Sequence, residues 1–287
     1  MPHVRRGQPH LRNPVLVAGF EGWNDAGEAA SFAARFLSER WDAEVFAEFD
    51  PEDYFDFTTT RPQVRLDEGM QRKIVWPATT MSAAAVPGGD RDVIFLIGTE
   101  PQLRWRTFCE EIVVVAGEYD VRLVVTLGAL LAEVPHSRPV NVVGTTQDPD
   151  LVRSLGLHQS SYEGPTGIVG VLHDAFRRTG IPSVSLWATV PTYVPSAPSP
   201  KAALALIERL STLLRAPVAT TDLEIATAAY ERQIDELVAE DDDTAAYVAR
   251  LEEDADEEAA EDTLADSASS GDLIAEVERF LRDSGGD

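Results

Sequence analysis

The sequence has few of the residues and runs that would indicate a disulfide-bonded, membrane-spanning or Schiff-base protein. Its single cysteine, Cys109, excludes an internal disulfide and a cysteine-rich zinc site. Its two lysines, Lys73 and Lys201, leave few candidates for a Schiff base. No stretch approaches the ~18 consecutive apolar residues of a membrane span. The basic N-terminal residues 1–13 precede no apolar stretch of the secretory type. We expect a protein of the reducing cytoplasm that does not associate with membranes.

The common catalytic motifs are absent as well. The chain contains no phosphate-binding P-loop, no GxGxxG dinucleotide motif, no GxSxG nucleophile elbow and no HExxH metal motif. Its five histidines are scattered without the spacing of metal ligands. We therefore assign no catalytic residue, no metal site and no cofactor, and we favour a binding protein over an enzyme.

The negative charge is concentrated in one part of the chain. The net charge is −25, and residues 222–287 carry 23 acidic and 4 basic residues, which leaves −6 for residues 1–221. Neither part offers the basic face on which nucleic-acid binding depends, because phosphate contacts supply most of that affinity. We expect no nucleic-acid partner.

Short apolar runs separated by helical segments predict an α/β domain. Val93–Ile97 and Leu123–Leu127 are apolar at nearly every position, which is typical of strands buried on both faces of a parallel sheet. The other predicted strands are Val15–Ala18, Val45–Phe49, Ile74–Trp76, Val140–Gly144 and Val184–Val190, and the predicted helices are Ala26–Arg40, Leu103–Tyr119, Gly167–Thr179 and Pro200–Leu214. This alternation predicts a three-layer α/β/α sandwich with a mostly parallel sheet. The strands between Val45 and Trp76 have no helix between them and predict a hairpin or an excursion at the sheet edge.

The chain divides into four segments by composition. Residues 1–13 form a basic leader, 14–219 the α/β core, 220–256 a helical hairpin, and 257–287 an acidic linker with a terminal amphipathic helix over 272–282. Thr221 and Glu224 have the spacing of a capping box at the start of the hairpin. The apolar stripe of the terminal helix is expected to dock on this chain, on a second copy or on a partner.

Unusual loops follow the apolar strands, at the sheet edge where open α/β sheets bind ligands. They provide the candidate ligand or partner surface, which comprises Gly22, Trp23, Asn24, Asp25, Glu100, His136, Glu163, Pro165, Thr166 and Tyr193. Several of these residues also have a structural interpretation. Asp25 and Thr166 are suited to cap the helices that follow them, and His136 has no nucleophile beside it in sequence, which favours a structural role.

Four of the motifs occur together, and in the same order, in a known family. They are Gly22-Trp23-Asn24-Asp25-Ala26-Gly27, the segment from Leu127 to His136, Tyr162-Glu163-Gly164-Pro165-Thr166-Gly167, and Pro198-Ser199-Pro200-Lys201-Ala202. They resemble the proteasome assembly chaperone family of the second-chaperone type, in its actinobacterial branch. The resemblance extends from about Pro14 to the acidic segment.

The resemblance implies a fold like that of purine nucleoside phosphorylases, homo-oligomers that are often trimers, and a connection to 20S proteasome assembly. One feature departs from it. Archaeal relatives that bind the proteasome end in a hydrophobic–tyrosine–any-residue motif, whereas this sequence ends Ser284-Gly285-Gly286-Asp287.

Two functional hypotheses stand at this point. The first is a protein-binding, chaperone-like assembly factor with protein partners, among them proteasome subunits. The second is a small-molecule enzyme or sensor, which a deep polar pocket lined by Asn24, Glu100, His136 and Thr166 would favour.

Overall fold

A computed structural model describes residues 4–5, 7–67, 69–160 and 162–264 of the chain. Its main element is a nine-stranded sheet whose four central strands are parallel neighbours, in the order β7 (Asp92–Thr99), β2 (Val15–Glu21), β8 (Leu123–Ala132) and β11 (Ser183–Pro191). The near-continuous apolar runs predicted for these strands agree with their burial on both faces.

Antiparallel pairs extend the sheet on both sides of this centre. Beyond β7 lie β6 (Thr79–Ala85), β3 (Glu44–Glu48) and β1 (Val4–Arg5), each antiparallel to its neighbour. Beyond β11 lies β9 (Val142–Thr146), antiparallel to β11 and parallel to β10 (His158–Gln159). The fold is therefore the α/β class that the sequence predicts, with a sheet that is parallel at its centre and antiparallel at its edges.

Helices cover both faces of the sheet. Helices α1 (Ala29–Arg40) and α6 (Pro200–Leu214) pack on one face, and α3 (Trp105–Glu118) and α5 (Ile168–Thr179) pack on the other. The short helices α2 (Pro51–Tyr54) and α4 (Pro149–Leu155) lie in connections. The sheet and the helices on its two faces form a three-layer sandwich, with one hydrophobic core on each side of the sheet.

Two further helices follow the sandwich. Helix α7 (Thr221–Ala239) packs on α6 through Leu223, Tyr230 and Ile234, and α8 (Asp242–Leu264) returns beside it to form the predicted helical hairpin. The helix begins after Thr220, which makes no side-chain hydrogen bond to the helix amides, and its hydroxyl donates to the Glu224 carboxylate at 2.8 Å. The capping box expected from Thr221 and Glu224 does not form. Helix α8 continues to Leu264, so residues 257–264 are helical where the sequence suggested a linker. The predicted terminal helix over 272–282 lies outside the described residues.

The segment between β3 and β6 differs in detail from the expectation. Strand β3 pairs with β6, a strand that the sequence pattern did not reveal. Strands β4 (Gln63–Leu66) and β5 (Arg72–Val75) pair with each other as a separate two-stranded sheet. The excursion is thus a β-hairpin outside the main sheet.

The strand predicted over Leu123–Leu127 is longer than expected. Strand β8 continues through Gly128 to Ala132, and Gly128 leaves room for the Trp187 ring on the neighbouring strand β11. A Cβ atom on Gly128 would lie 2.6 Å from that ring. The loop proper begins at Glu133.

Candidate functional site

The parallel centre of the sheet determines where the candidate loops meet. Because β7, β2, β8 and β11 point the same way, the segments that follow them lie at one edge of the sheet. These segments hold Glu100, Trp23, Asn24, His136 and Tyr193. Helix α5 begins at the same edge, since Glu100 contacts its first residue. Within this edge the candidate residues divide into two groups with different partners.

Asp25 has the capping role that the sequence suggested. Its Oδ1 accepts hydrogen bonds from the amides of Ala30 at 2.8 Å and Ser31 at 3.0 Å, in the first turn of α1. Burial raises the pKa of Asp25, and the hydrogen bonds from Ser31 and Ala30 and the charge of Arg35 act in the opposite direction. Its carboxylate is therefore engaged by the fold.

Asn24, the preceding residue, forms a hydrogen bond through its main chain but none through its side chain. Its carbonyl oxygen accepts from the amide of Ala129 at 2.8 Å, which fixes the loop against β8. Its side chain is 3% exposed, and neither Nδ2 nor Oδ1 has a hydrogen-bond partner among the described residues. A buried carboxamide without partners is unusual, since the large majority of buried polar side-chain atoms are hydrogen-bonded.

Glu100 caps α5, which the sequence assigned to Thr166. Its Oε1 accepts from the amide of Ile168 at 2.7 Å, whereas the N-cap residue Gly167 and the hydroxyl of Thr166 give the helix no side-chain cap. Burial raises the pKa of Glu100, and hydrogen bonds from the amides of Ile168 and Trp23 partly offset this effect. The capping residue comes from a distant loop because the edge of the sheet brings it to the helix.

Two glycines allow this close packing. Gly22 has a φ of +130°, a conformation that only glycine adopts without strain, and a Cβ there would lie 3.2 Å from the Cβ of Glu100. A Cβ on Gly167 would lie 2.6 Å from Asn24 Nδ2 and 2.8 Å from Glu100 Oε1. Four candidates, Gly22, Trp23, Asn24 and Glu100, therefore lie together at the start of α5, and the fifth, Thr166, is exposed beside them.

A cavity of about 420 Å³ adjoins this cluster. It lies between α5, the strands β9 and β11, and the loop that carries Trp23 and Asn24. Its lining residues are Trp23, Asn24, Thr145, Thr146, Gln147, Ser160, Tyr162, Gly164, Thr166, Gly167, Val169, Gly170, His173, Asp174, Arg177, Ser183, Ser185 and Trp187. Of the four residues proposed to line a pocket, Asn24 and Thr166 do so, and Glu100 and His136 do not.

A chain of neutral polar groups forms one wall of the cavity. His173 Nε2 lies 2.8 Å from Thr126 Oγ1 and its Nδ1 lies 2.7 Å from Ser183 Oγ. The Thr126 hydroxyl is also 3.0 Å from that of Ser185. Burial lowers the pKa of His173 to about 4, so the imidazole is neutral near pH 7. The sequence did not single out His173, because it lies within a helical run with no motif around it.

His136 and Tyr193 form the second group, under the C-terminal hairpin. The Tyr193 hydroxyl accepts from the His136 amide at 2.7 Å and lies 2.8 Å from His136 Nδ1. His136 Nε2 lies 3.0 Å from Asp235 Oδ1 on α7. Lys201 donates to the His136 carbonyl and pairs with Glu231 on α7 at 2.6 Å. His136 is thus a buried structural residue that links the sheet edge to α7.

The hairpin has further contacts with this loop. Arg138 donates to both carboxylate oxygens of Asp256 at 2.7 Å, and Ser137 donates to Glu252. The Tyr247 hydroxyl donates to Glu133 at 3.2 Å. Because these partners lie more than a hundred residues further along the chain, local sequence patterns could not predict them.

The remaining candidates, Glu163 and Pro165, are exposed in the loop that precedes α5. The Pro165 carbonyl accepts from the Tyr162 hydroxyl at 2.6 Å, which holds the loop closed on itself.

Within the described residues no group of three or more His, Cys, Asp or Glu side chains is placed to hold a metal ion. None of the helices in that part of the chain is long and apolar enough to cross a membrane.

Comparisons with known proteins agree with this architecture. A PAC2 family protein from Streptomyces avermitilis is 50% identical, with a TM-score of 0.76, over 82% of this chain and 99% of that one. A proteasome-assembly chaperone homologue from Mycobacterium tuberculosis is 46% identical over the same shares, with a TM-score of 0.74. An archaeal proteasome activator from Pyrococcus furiosus, 17% identical with a TM-score of 0.67 over 82% of this chain and 97% of that one, shares the fold alone. None of the curated proteins matches the sequence.

The α/β sandwich is thus a fold shared with a protein described as a proteasome-assembly chaperone homologue. The PAC2 family profile matches residues 19–238, which include the sheet-edge loops and most of α7. The chain belongs to the PAC2 family.

Proposed function

We propose that this protein is a protein-binding assembly factor that acts on 20S proteasome subunits in the cytoplasm. The family membership and the relative from Mycobacterium tuberculosis described as a proteasome-assembly chaperone homologue support this role. The observation in this chain that carries the proposal is the β4–β5 hairpin, which presents apolar side chains to solvent.

The hairpin has an apolar face that the rest of the described chain does not bury. Val64 and Ile74 are directly opposite each other across the two strands, and Leu66 lies on the same face. These side chains are 57%, 49% and 57% exposed, respectively. Met70 in the turn and Trp76 after β5 are also exposed. A two-stranded hairpin is at best marginally stable alone in water, so a partner that covers this face would stabilise it.

The other face of the hairpin carries two basic side chains, Arg65 and Lys73, while Arg72 lies opposite Leu66 on the apolar face. Residues 61–76 as a whole carry four basic and two acidic residues in a chain of net charge −25. Arg65 and Lys73 are directly opposite each other across the strands, an arrangement that destabilises a hairpin unless an anion lies nearby. In the described residues no carboxylate forms an ion pair with either side chain. The hairpin therefore suits a partner surface that combines an apolar patch with carboxylates.

The proposed factor acts as a homo-oligomer, with a trimer favoured by the likeness to bacterial relatives. The acidic hairpin α7–α8 is one surface with which the basic face of a neighbouring copy would pair. Native mass spectrometry of the purified full-length protein measures this directly. A single species at the monomer mass throughout the micromolar range would contradict the oligomer.

A reconstitution experiment tests the assembly role. Separately purified α and β subunits of the 20S proteasome from an actinobacterium are mixed with the full-length protein, and native mass spectrometry follows the half-assembled and complete particles. We expect a complex between this protein and α subunits and faster formation of the complete particle. No complex and an unchanged assembly rate would overturn the proposal.

Matched variants assign the effect to the hairpin. The double variant Leu66→Ser, Ile74→Ser removes two of the three apolar side chains of this face and leaves Val64, and we expect it to bind α subunits at least about tenfold more weakly. The control Ile225→Ser, Leu237→Ser alters two apolar residues of α7 that are 66% and 55% exposed, and should bind normally. Equal loss in both variants would contradict the assignment to β4–β5.

Crosslinking mass spectrometry in cell lysate identifies the partners in their natural setting. It compares the full-length protein with a version truncated after Arg215, which lacks α7 and α8. Crosslinks to proteasome subunits that persist in the truncated protein would place the binding surface on the sandwich. Crosslinks that vanish would place it on the helical hairpin.

A further inference from the structure

We propose that the cavity beside Asn24 is a binding site for a small, uncharged, planar molecule whose amide-type edge, an N–H beside a C=O, pairs with the Asn24 carboxamide. This ligand-binding function is separate from the proposed assembly role and involves a different part of the sheet edge. The cavity is lined by Asn24, two tryptophans, and the hydroxyl and imidazole groups of β11 and α5.

Asn24 indicates which groups the ligand must offer. Its carboxamide has a donor and an acceptor side by side, both buried and both without a partner among the described residues. A buried polar group left unsatisfied is unfavourable, and a ligand that supplies both partners recovers this free energy. An N–H adjacent to a C=O has the matching arrangement, as in the two-fold pairing of carboxamides with nucleic-acid bases.

The lining residues favour an uncharged ligand. The charged side chains at the cavity, Asp174 and Arg177, form an ion pair with each other. His173 is neutral near pH 7, because burial lowers its pKa to about 4. A charged ligand would lose its hydration without gaining an opposite charge, which is strongly unfavourable.

The start of α5 excludes an anion specifically. A helix N-terminus usually attracts negative charge, but the amide of Ile168 already binds the Glu100 carboxylate. An anionic ligand would lie close to this carboxylate and would be repelled. Gly167, Val169 and Gly170 line this part of the cavity. A ligand that contacts them is therefore expected to carry uncharged acceptor groups there.

Two aromatic side chains favour a planar ligand. Trp23 and Trp187 both line the cavity, and Trp187 is held over Gly128 on the adjacent strand. Aromatic rings bind flat π systems by offset or edge-to-face contacts. The cavity volume of about 420 Å³ is at the lower end of the range for small-molecule sites and accommodates a ring of one or two cycles.

The same wall argues for binding rather than acid–base catalysis. An effective general base has a pKa near the working pH and is oriented by a further group, which is often a carboxylate. Within the described residues His173 forms hydrogen bonds with the hydroxyls of Thr126 and Ser183, and its pKa of about 4 makes it a weak base. We therefore expect the site to bind its ligand without changing it chemically.

The test uses nicotinamide and hypoxanthine as probes, with the full-length protein. Both are uncharged, planar and carry an amide-type edge, while benzoate is a planar anion of similar size. Saturation-transfer NMR at millimolar ligand concentration detects weak binding to the protein. We expect signals from at least one amide probe and none from benzoate.

Asn24→Leu removes the carboxamide and keeps a side chain of similar size. We expect at least about tenfold weaker binding, together with an unchanged or increased melting temperature of the free protein, because a buried unsatisfied group is removed. The control Asn141→Leu changes an exposed asparagine outside the cavity and should bind normally. A second variant, Trp23→Leu, tests the aromatic wall through a partly exposed side chain and should also weaken binding.

Three results would overturn the proposal. They are the absence of binding by both amide probes, equal binding of benzoate, and normal binding by Asn24→Leu. If Asn24→Leu does not fold, normal binding by Trp23→Leu would count in the same way. Release of a chemically altered probe would contradict the conclusion that the site only binds.

Discussion

Glu100 and Ile168 join two loops of the sheet edge through a single hydrogen bond, in which the Glu100 carboxylate accepts from the Ile168 amide at 2.7 Å. The two residues are 68 positions apart in sequence. This bond fixes the start of α5 relative to β7, and hence one side of the cavity beside Asn24.

Replacing Glu100 should therefore destabilise the fold in a graded way. We expect Glu100→Ala to lower the free energy of unfolding by about 1–2 kcal/mol, because an N-cap acceptor is lost. Glu100→Gln keeps an acceptor and removes a carboxylate whose pKa burial raises, so it should be less destabilising. Urea unfolding at pH 7 measures both, and equal effects of the two variants would contradict the capping role.

Gly128 should tolerate no side chain. Gly128→Ala places a Cβ 2.6 Å from the Trp187 ring, and we expect it to lower the free energy of unfolding by about 1–3 kcal/mol through overpacking. The matched control is Gly117→Ala in α3, where a Cβ would meet nothing within 4 Å. That change should raise stability by up to about 1 kcal/mol, since alanine favours helices over glycine. Thermal unfolding that shows both changes equally destabilising would contradict the close packing at Gly128.

His173 should make the protein sensitive to acid. Its pKa is lowered from 6.5 to about 4 in the folded state, so below pH 6.5 the unfolded chain binds a proton that the folded chain does not. Stability is then complete above pH 6.5 and decreases as the pH falls towards 4, by about 1–3 kcal/mol from this group. We expect His173→Gln to lack this contribution, so its stability relative to the unchanged protein should improve as the pH falls. Urea unfolding across this range is the measurement, and a constant difference between the two proteins would contradict it.

The two side chains that contact the His136 imidazole, those of Tyr193 and Asp235, should contribute unequally to stability. Tyr193→Phe removes the hydroxyl that the His136 amide and Nδ1 contact, and we expect a loss of about 1–2 kcal/mol because buried groups are left unpaired. Asp235→Ala should cost no more than about 0.5 kcal/mol, since the Asp235 side chain is 67% exposed. Chemical unfolding of both variants tests this order. The reverse order would show that the contact with α7, and not the loop, holds the imidazole.

The sequence was most informative where a residue's structure depends on its near neighbours. The continuous apolar runs gave the four central strands, and their parallel arrangement placed the candidate loops at one edge. Asp25 accepts hydrogen bonds from amides in the first turn of the next helix, as the sequence suggested, but these amides belong to Ala30 and Ser31, and the N-cap residue of α1 is Glu28. The strand β6 was missed because its sequence, Thr-Thr-Met-Ser-Ala-Ala-Ala, has neither an apolar run nor an alternation of apolar and polar residues. Its pairing with β3 and β7, and not its local sequence, stabilises the strand.

The sequence was least informative where partners lie far apart along the chain. Glu100, and not Thr166, caps α5, and His136 contacts Asp235 at a separation of 99 residues. Local rules of capping and spacing contain no information on such pairs, which depend on how the sheet and the helices pack. For the same reason the cavity wall formed by His173, Ser183 and Ser185 emerged only from the fold.

The contacts between the C-terminal hairpin and the sandwich include several ion pairs at the surface, such as Arg138 with Asp256 and Arg40 with Asp222. Dissolved salt weakens the attraction between exposed charges of this kind. The apolar contacts in the core of the sandwich are not weakened by this screening. Rising ionic strength should thus loosen α7 and α8 before any other part of the fold, which would make the hairpin's attachment a function of the salt around the protein.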